Sequence, residues 1–183
     1  TVLAEQGVDR PVIGIALDGV GLGTDNTAWG GEVLLVDGAK FERVGRLGPL
    51  ALPGGDAAAR EPWRMAAALL HHGGMADRIA LRLSPAVGEA ATRTIHTMLQ
   101  RGLNCPHTTA AGRWFDAVAG LLGLSVRQEF EAQAAMALEA AAARHLQSQG
   151  ALTVQADLWN ITPDGVIDLR PWLHKHLLHV DTH

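Results

Sequence analysis

The pattern of apolar positions near the start of the chain is typical of a sheet. Residues 12–17 form a short apolar run rich in β-branched side chains, which predicts a buried strand ending at Asp18. Residues 29–36 and 40–52 predict two further strands, and Asp37-Gly38 between them is a hairpin signal. The first 55 residues are therefore expected to form a β-meander whose first turn is rich in glycine.

The apolar period then changes to that of helices over residues 56–150. Asp56 can cap a helix that runs toward Leu70, with a break or a fresh start at Pro62. Three more helices are predicted over residues 85–102, 110–122 and 129–149. The fold class that follows is α/β, in the α+β sense of a meander followed by a helical region.

The last segment, residues 151–183, is the least clearly patterned. A strand is expected over residues 153–161 and a short one over 166–169, separated by a turn at 163–165. Pro171 should open a last helix that reaches about Leu178.

Composition narrows the class of protein. Hydrophobic residues make up 48% of the 183, so the chain can bury a core, and the net charge of −4 comes without a long basic run. Nucleic acid is therefore not the expected partner. The single cysteine, Cys105, excludes an internal disulfide and is interpreted as a buried, inert thiol. With no signal peptide or apolar stretch of membrane-spanning length, we expect a cytoplasmic protein.

The first candidate for chemistry is the segment around Asp18. A carboxylate at a strand end can hold a divalent metal that bridges phosphates, and the glycines after it let backbone N–H groups approach those phosphates. The glycines are Gly19, Gly21 and Gly23. Their spacing is neither the P-loop nor the dinucleotide-binding pattern. Taken alone, the segment fits an ordinary glycine-rich hairpin better.

A second candidate is the pair Gly30-Gly31 in front of Glu32. Two glycines before an extended run indicate a close backbone approach or a bulge, and a buried Glu32 would need a partner. A bulge at the sheet edge explains the same pattern without a ligand.

A third candidate lies at the start of the helix predicted over residues 110–122. Gly112 and Asp116 share a helix face, where the glycine would leave room for a ligand and the carboxylate could accept hydrogen bonds from ribose hydroxyls. Arg113 could meet a phosphate or a carbamoyl group. The alternative is a surface ion pair beside a core face made of Phe115, Val118 and Leu122.

The remaining candidates give weaker indications of a functional role. Glu131 and Gln133 near a helix start fit either a ligand contact or ordinary roles at the helix dipole and cap. His176 and His179 have the spacing of a ligand pair, but no cysteine or carboxylate cluster accompanies them. A solvated helix end is the preferred interpretation of these histidines.

Six short blocks follow one another along the chain: GIALDG at 14–19, WGGE at 29–32, LPGGD at 52–56, REPWRM at 60–65, GRWFDA at 112–117 and QAAMALE at 133–139. Together, in this order, they resemble the HypF family of [NiFe]-hydrogenase maturation carbamoyltransferases. The stretch from about Leu152 onward resembles the family only loosely.

The resemblance implies a partial TsaD-like domain of the actin/Hsp70/sugar-kinase (ASKHA) superfamily. Family members use ATP and carbamoyl phosphate to form a carbamoyl adenylate with release of pyrophosphate. They pass the carbamoyl group to the C-terminal cysteine of a HypE partner, and dehydration then gives the thiocyanate that supplies the cyanide ligands of the [NiFe] centre. ATP and a divalent metal, which could be zinc, iron or magnesium, are the cofactors implied.

The resemblance also assigns roles to individual residues. Asp18 corresponds to a metal-binding aspartate, and Gly19, Gly21 and Gly23 to a phosphate turn. Gly112, Arg113 and Asp116 correspond to the nucleotide-binding helix, and Glu131 to the glutamate of a Tyr-Glu-Gly segment. This chain departs from that segment at Phe130 and Ala132, which stand where the family has tyrosine and glycine.

Other parts of the family pattern are expected outside these 183 residues. A histidine pair should precede Thr1, and a glycine-rich phosphate loop and a final metal-binding aspartate should follow His183. Because an ASKHA cleft needs two lobes, we expect the chain alone to show no turnover. Two other functions stay open: a sugar-kinase-like ASKHA phosphotransferase, and a non-catalytic docking module built on the helices of residues 85–150.

Overall fold

A computed structural model describes residues 2–150, 153 and 155–177. After a short helix, α1 (Val2–Glu5), three antiparallel strands follow in order: β1 (Val12–Leu22), β2 (Ala28–Asp37) and β3 (Lys40–Leu47). The predicted β-meander and its hairpin after Asp37 are confirmed. The predicted end of the first strand at Asp18 is wrong. β1 continues to Leu22, and its pairing with β2 is interrupted only by a bulge between Leu17 and Gly21.

The segment predicted as one third strand divides at Gly48-Pro49. The Gly48 amide donates to the Ile167 carbonyl, and Pro49 has no amide hydrogen, so the ladder between β2 and β3 cannot continue. A separate β4 (Leu50–Ala51) pairs with β5 (His107–Thr108), which meets the start of β2 in parallel. β7 (Val166–Asp168) extends the sheet beyond β3, and β6 (Asn160–Ile161) follows it.

The helices are α2 (Asp56–Arg60), α3 (Pro62–His72), α4 (Arg78–Val87), α5 (Glu89–Arg101), α6 (Ala111–Leu121), α7 (Gln133–Gln149) and α8 (Arg170–Leu177). The break at Pro62 is confirmed. The single helix predicted over residues 85–102 is wrong, because Pro85 lies inside α4 and Gly88, at φ +84°, separates α4 from α5. Asp56 does not cap α2, since the N-cap position is Gly55.

The helix predicted over residues 129–149 and the strand predicted after it also differ from the structure. α7 begins at Gln133 rather than residue 129, because Ala132 at its N-cap has a left-handed φ of +62° that no helix continues through. The strand predicted over residues 153–161 is wrong, since a 3₁₀ turn at Ala156–Leu158 leaves only β6. The turn before β7 and the helix after it are confirmed as far as Leu177.

The hydrophobic core is centred on α3 rather than on the meander. Met65, Leu69 and Leu70 of α3 are almost fully buried, and α6 packs along the same helix. On α5, Ile95 and Leu99 are buried, and Met98 is partly buried beside them. Because α3 and α6 hold one another in the core, the start of α6 is fixed relative to the sheet.

β1 is not the buried strand that its apolar run predicted. Ile13, Ile15 and Leu17 are 61%, 71% and 65% exposed. The physical reason is position: β1 pairs with β2 alone in the described part of the chain, and α6 contacts it near Asp18-Gly19. Among the described helices, none is long and apolar enough to cross a membrane.

Candidate functional site

A cavity of about 330 Å³ lies where the start of α6 meets the bulge of β1 and the segment before α7. It gathers six of the residues that the sequence singled out, from three separate parts of the chain. They are Asp18, Gly19, Gly112, Arg113, Asp116 and Glu131. Phe115 and Ala132 complete much of the wall.

Glycines bring α6 and β1 together at this cavity. A Cβ at Gly112 would lie 2.8 Å from the Gly19 Cα, and one at Gly30 would lie 2.8 Å from the Asp18 carbonyl oxygen. Gly112 was expected to leave room for a ligand. Its main effect is instead to let the helix rest directly on the backbone of β1, which sets the position of the helix start over Asp18.

The other predicted glycines lie elsewhere. Gly23 packs against the indole of Trp29, where a side chain would overlap the ring, and Gly31 packs beneath the Thr109 carbonyl. Gly21 lines a different cavity of about 990 Å³. The structure therefore places Gly19 at the candidate site and does not bring Gly21, Gly23 or Gly31 to it.

Asp116 is the most perturbed ionisable group of the cavity. Its side chain is 1% exposed, and burial raises the pKa of its carboxyl to about 6, against the opposing effects of Arg113 and of a hydrogen bond from Gln128. Arg113 Nη2 lies 2.7 Å from Asp116 Oδ2. That contact lacks hydrogen-bond geometry, so Oδ2 has no hydrogen-bond partner within the described residues. The buried Nε of Arg113 has none there either.

The alternative interpretation of this helix is wrong in two respects. The Arg113–Asp116 pair is buried rather than on the surface. Phe115 and Leu122, expected in the core, are 49% and 56% exposed. The buried face of α6 carries Trp114 and Ala117 instead, which turns Asp116 inward beside them.

Glu32 is a second buried carboxylate, and the expectation that it would need a partner is confirmed. Its Oε2 accepts hydrogen bonds from the Gly30 and Gly31 amides at 2.6 and 2.7 Å. Its Oε1 accepts from Arg43 Nη2 at 2.8 Å and from the Thr109 hydroxyl. This network joins β2, β3 and the segment leading into α6, so it supports the cavity without lining it.

Asp18 is exposed, and its Oδ1 accepts a hydrogen bond from the Gly19 amide at 2.6 Å. The described residues contain no group of three or more histidines, cysteines, aspartates or glutamates that could hold a metal ion. One carboxylate alone does not make a metal site, so the part of the chain described does not fit a bound metal without ligands from elsewhere.

Of the residues weighed for metal or thiol chemistry, His176 and Cys105 are described by the structure and do not line the cavity. The ring of His176 packs 5.8 Å from that of Trp172, and its proposed partner His179 lies outside the described residues, as does His183. Cys105 is buried, and burial raises the pKa of its thiol. Both findings agree with the interpretation of Cys105 as a buried, unreactive group.

Comparison with known proteins identifies the family. Residues 14–182 match the family described as carbamoyltransferase, Kae1-like domain, second subdomain. The chain belongs to this HypF carbamoyltransferase family. It is 55% identical over 174 residues to a carbamoyltransferase HypF homolog of Cupriavidus necator, covering 95% of this chain and 44% of that protein. It is 40% identical over 170 residues to carbamoyltransferase HypF of Rhizobium leguminosarum bv. viciae, covering 93% and 21%.

Solved structures agree with this assignment. The crystal structure of full-length HypF in its phosphate- and nucleotide-bound form superposes with a TM-score of 0.72 at 31% identity, covering 96% of this chain and 27% of that one. HypF of T. kodakarensis gives a TM-score of 0.80 at 27% identity, covering 99% and 24%. The α/β fold class inferred from the sequence is therefore confirmed. The chain spans less than half the length of each of these relatives.

Proposed function

We propose that this chain supplies the nucleotide-binding side of the transfer site in an ATP-dependent carbamoyltransferase of the HypF type. The observation that carries the proposal is the single cavity shared by Asp18, Gly19, Gly112, Arg113, Asp116 and Glu131. The nucleotide-bound state of one structural relative is consistent with it. Carbamoyl adenylate, made from carbamoyl phosphate and ATP, is the proposed ligand.

The start of α6 offers the nucleotide its positive end. The first-turn N–H groups of a helix lack intrahelical acceptors and attract anions, and Arg113 adds a guanidinium beside them. Gly112 permits the close approach of this helix to Gly19. The phosphate of the adenylate is proposed to lie in this positive field, with Arg113 orienting the carbamoyl group next to it.

Asp116 is proposed to bind a ribose hydroxyl. Within the described residues its buried Oδ2 has an ionic contact with Arg113 but no hydrogen bond, so a hydroxyl that donates to it would add the hydrogen bond that this atom lacks. A donated hydrogen bond also favours the ionised carboxylate, which offsets part of the burial that raises the pKa. Ligand binding and ionisation of Asp116 should therefore reinforce one another.

The proposed transfer step uses a nucleophile from outside the chain. The thiolate of the C-terminal cysteine of a HypE-type partner attacks the carbamoyl carbon. A new C–S bond forms, the C–O bond to the phosphate breaks, and AMP leaves with the electron pair of that bond. Arg113 stabilises the charge that develops on the departing phosphate.

Two readouts in the intact protein separate this site from adenylate formation. Asp18→Ala and Asp116→Ala are compared with Asp37→Ala, which changes an exposed aspartate at the β2–β3 hairpin. We expect partner carbamoylation to fall at least about tenfold in the first two variants, the loss expected for one charged hydrogen bond. Carbamoyl-phosphate-dependent ATP–pyrophosphate exchange should continue in all three.

Retained exchange shows that the variants still make the adenylate, so a loss of carbamoylation lies in the transfer step. If carbamoylation also persists at the wild-type rate in Asp116→Ala, the cavity does not bind the transferred group. If exchange itself stops in Asp116→Ala while Asp37→Ala is normal, the cavity serves adenylate formation rather than transfer.

A further inference from the structure

Gln128 lies behind Asp116, in the segment that joins α6 to α7. Its side-chain Nε2 donates to the Asp116 Oδ1 at 3.3 Å and to the Ala59 carbonyl at 2.8 Å, and its Oε1 accepts from the Ala134 amide at 3.0 Å. Its own backbone amide donates to the Arg60 carbonyl at 2.8 Å. One residue thus links the end of α2, the first turn of α7 and the carboxylate of the cavity.

Backbone partners fix which end of this amide faces Asp116. The Ala59 carbonyl can only accept a hydrogen bond and the Ala134 amide can only donate one, so the side chain has a single orientation that satisfies both. In that orientation the NH₂ group faces Asp116. Gln128 must therefore donate to the carboxylate, and a donor in this position favours its ionised form.

The two carboxylate oxygens of Asp116 have different surroundings. Oδ1 is held by Gln128, while Oδ2 faces Arg113 without hydrogen-bond geometry. With Oδ1 occupied, the carboxylate cannot rotate freely, and Oδ2 stays available to a ligand. The other charged groups that line the same cavity are Asp18 from β1 and Glu131 from the segment before α7.

We propose that Gln128 is a positioning residue for the transfer site, which orients the Asp116 carboxylate toward the ligand and ties it to the α2–α3 junction and to the start of α7. This inference rests on the proposed function of the cavity. It assigns a role to a residue outside the six blocks of the family resemblance. The backbone amide of Gln128 also connects it to the residue 60–65 block, since the Arg60 carbonyl accepts that hydrogen bond.

Two substitutions separate the functions of this amide. Gln128→Met keeps the length of the side chain and removes all its hydrogen bonds. Gln128→Glu keeps an acceptor for the Ala134 amide but cannot donate to Asp116 when ionised. Gln100→Met, at an exposed glutamine of α5, is the matched control.

The experiment measures the rate of partner carbamoylation in the intact protein from pH 5 to 8, divided by the rate of ATP–pyrophosphate exchange. Each variant is compared with wild type at the same pH, so ionisation of the partner's thiol cancels. At pH 7 we expect Gln128→Met and Gln128→Glu to lower the ratio about tenfold, the effect of one hydrogen bond to a charged group. The pH midpoint that depends on Asp116 should move upward in both.

A double-mutant cycle gives the decisive comparison. If Gln128 acts through Asp116, Gln128→Met should add little further loss in an Asp116→Asn background. Full additivity, an unchanged pH midpoint, or a normal ratio in Gln128→Glu would overturn the proposal. The role of Gln128 would then be limited to its structural hydrogen bonds, such as the one with the Ala134 amide at the start of α7. If Asp116→Asn itself transfers normally, the proposed function fails as well. If Asp116→Asn is impaired while Gln128→Met is normal, the role of Gln128 alone is refuted.

Discussion

Two buried carboxylates, each beside an arginine, are treated very differently in this molecule. Glu32 is 2% exposed and receives four hydrogen bonds, from two backbone amides, Arg43 and Thr109. Asp116 is 1% exposed and receives one long hydrogen bond, from Gln128, beside an ionic contact with Arg113. The degree of burial is the same, so the difference lies in how many donors the fold supplies.

This difference distinguishes a carboxylate that stabilises the fold from one that is available to a ligand. A buried carboxylate whose oxygens are all satisfied holds elements together and gains nothing from a ligand. One left with an unpaired oxygen at a cavity lowers the stability of the empty protein and gains a partner when a ligand binds. The Glu32 region is therefore the scaffold of the site, and the Asp116 region is where binding is expected.

The largest effect is expected from Glu32→Gln. The substitution removes the buried anionic partner of Arg43, which keeps only its longer contact with the exposed Asp25, and turns an NH₂ group toward donors. We expect the free energy of unfolding to fall by about 3–5 kcal/mol, the typical result of breaking a buried ion pair. Chemical denaturation of the chain measures this loss.

Glu89→Gln is the control for that experiment. It breaks an ion pair with Arg93 in which the glutamate side chain is 80% exposed, so the loss should stay below about 0.5 kcal/mol. Equal losses in the two variants would show that the Glu32 network contributes no more to stability than a surface ion pair. The description of Glu32 as part of the scaffold would then be wrong.

Asp116→Asn should have the opposite sign. Because the folded-state pKa of Asp116 is raised from 3.8 to about 6, the contribution of this one group to stability is fully present below pH about 4 and is lost as pH rises through 6. The asparagine does not ionise. At pH 8 the variant should therefore be more stable than wild type by up to about 3 kcal/mol, the value of a shift of about two pKa units.

Unfolding free energies at pH 4 and pH 8 test this expectation. The gain should vanish at pH 4, while partner carbamoylation by the intact variant falls relative to wild type at pH 8, where the wild-type carboxylate is ionised. A variant that is less stable than wild type at pH 8 would show that Asp116 is satisfied like Glu32, and that its carboxylate serves the fold.

The sequence was sufficient for features that depend on local rules. The meander, the helix break at Pro62 and the need of Glu32 for a partner follow from alternation, proline geometry and the cost of burying charge. It was insufficient where distant segments decide. The exposure of β1 depends on which neighbours cover it. A glutamine such as Gln128 carries no recognisable pattern, and its role appears only when α2, α6 and α7 meet around it.

The same lesson applies to the glycines of the candidate site. Residues 19, 21 and 23 look alike in sequence, yet only Gly19 lies against α6, because the bulge after Leu17 shifts the register of β1. A spacing rule for phosphate turns cannot anticipate a bulge that is set by pairing with β2. The family resemblance assigned all three glycines to one phosphate turn, so it did not anticipate the bulge either.

The smallest expected effect concerns backbone strain near the two carboxylates. Near Glu32, the position with φ +151° is occupied by a glycine, Gly30, whereas near Asp116 the position with φ +62° is occupied by Ala132. An alanine in the left-handed region is strained by about 1 kcal/mol. The strain lies in the wall of the candidate site and not in its scaffold.

Ala132→Gly should therefore raise the free energy of unfolding by up to about 1 kcal/mol, with part of the relief offset by the greater freedom of glycine in the unfolded chain. Ala142→Gly, at an exposed position inside α7, is the matched control and should lower it by about 1 kcal/mol. Opposite signs for the same chemical change would show that the backbone at Ala132 is strained. A loss in both would mean that the alanine methyl group at residue 132 contributes packing to the cavity wall that outweighs the strain.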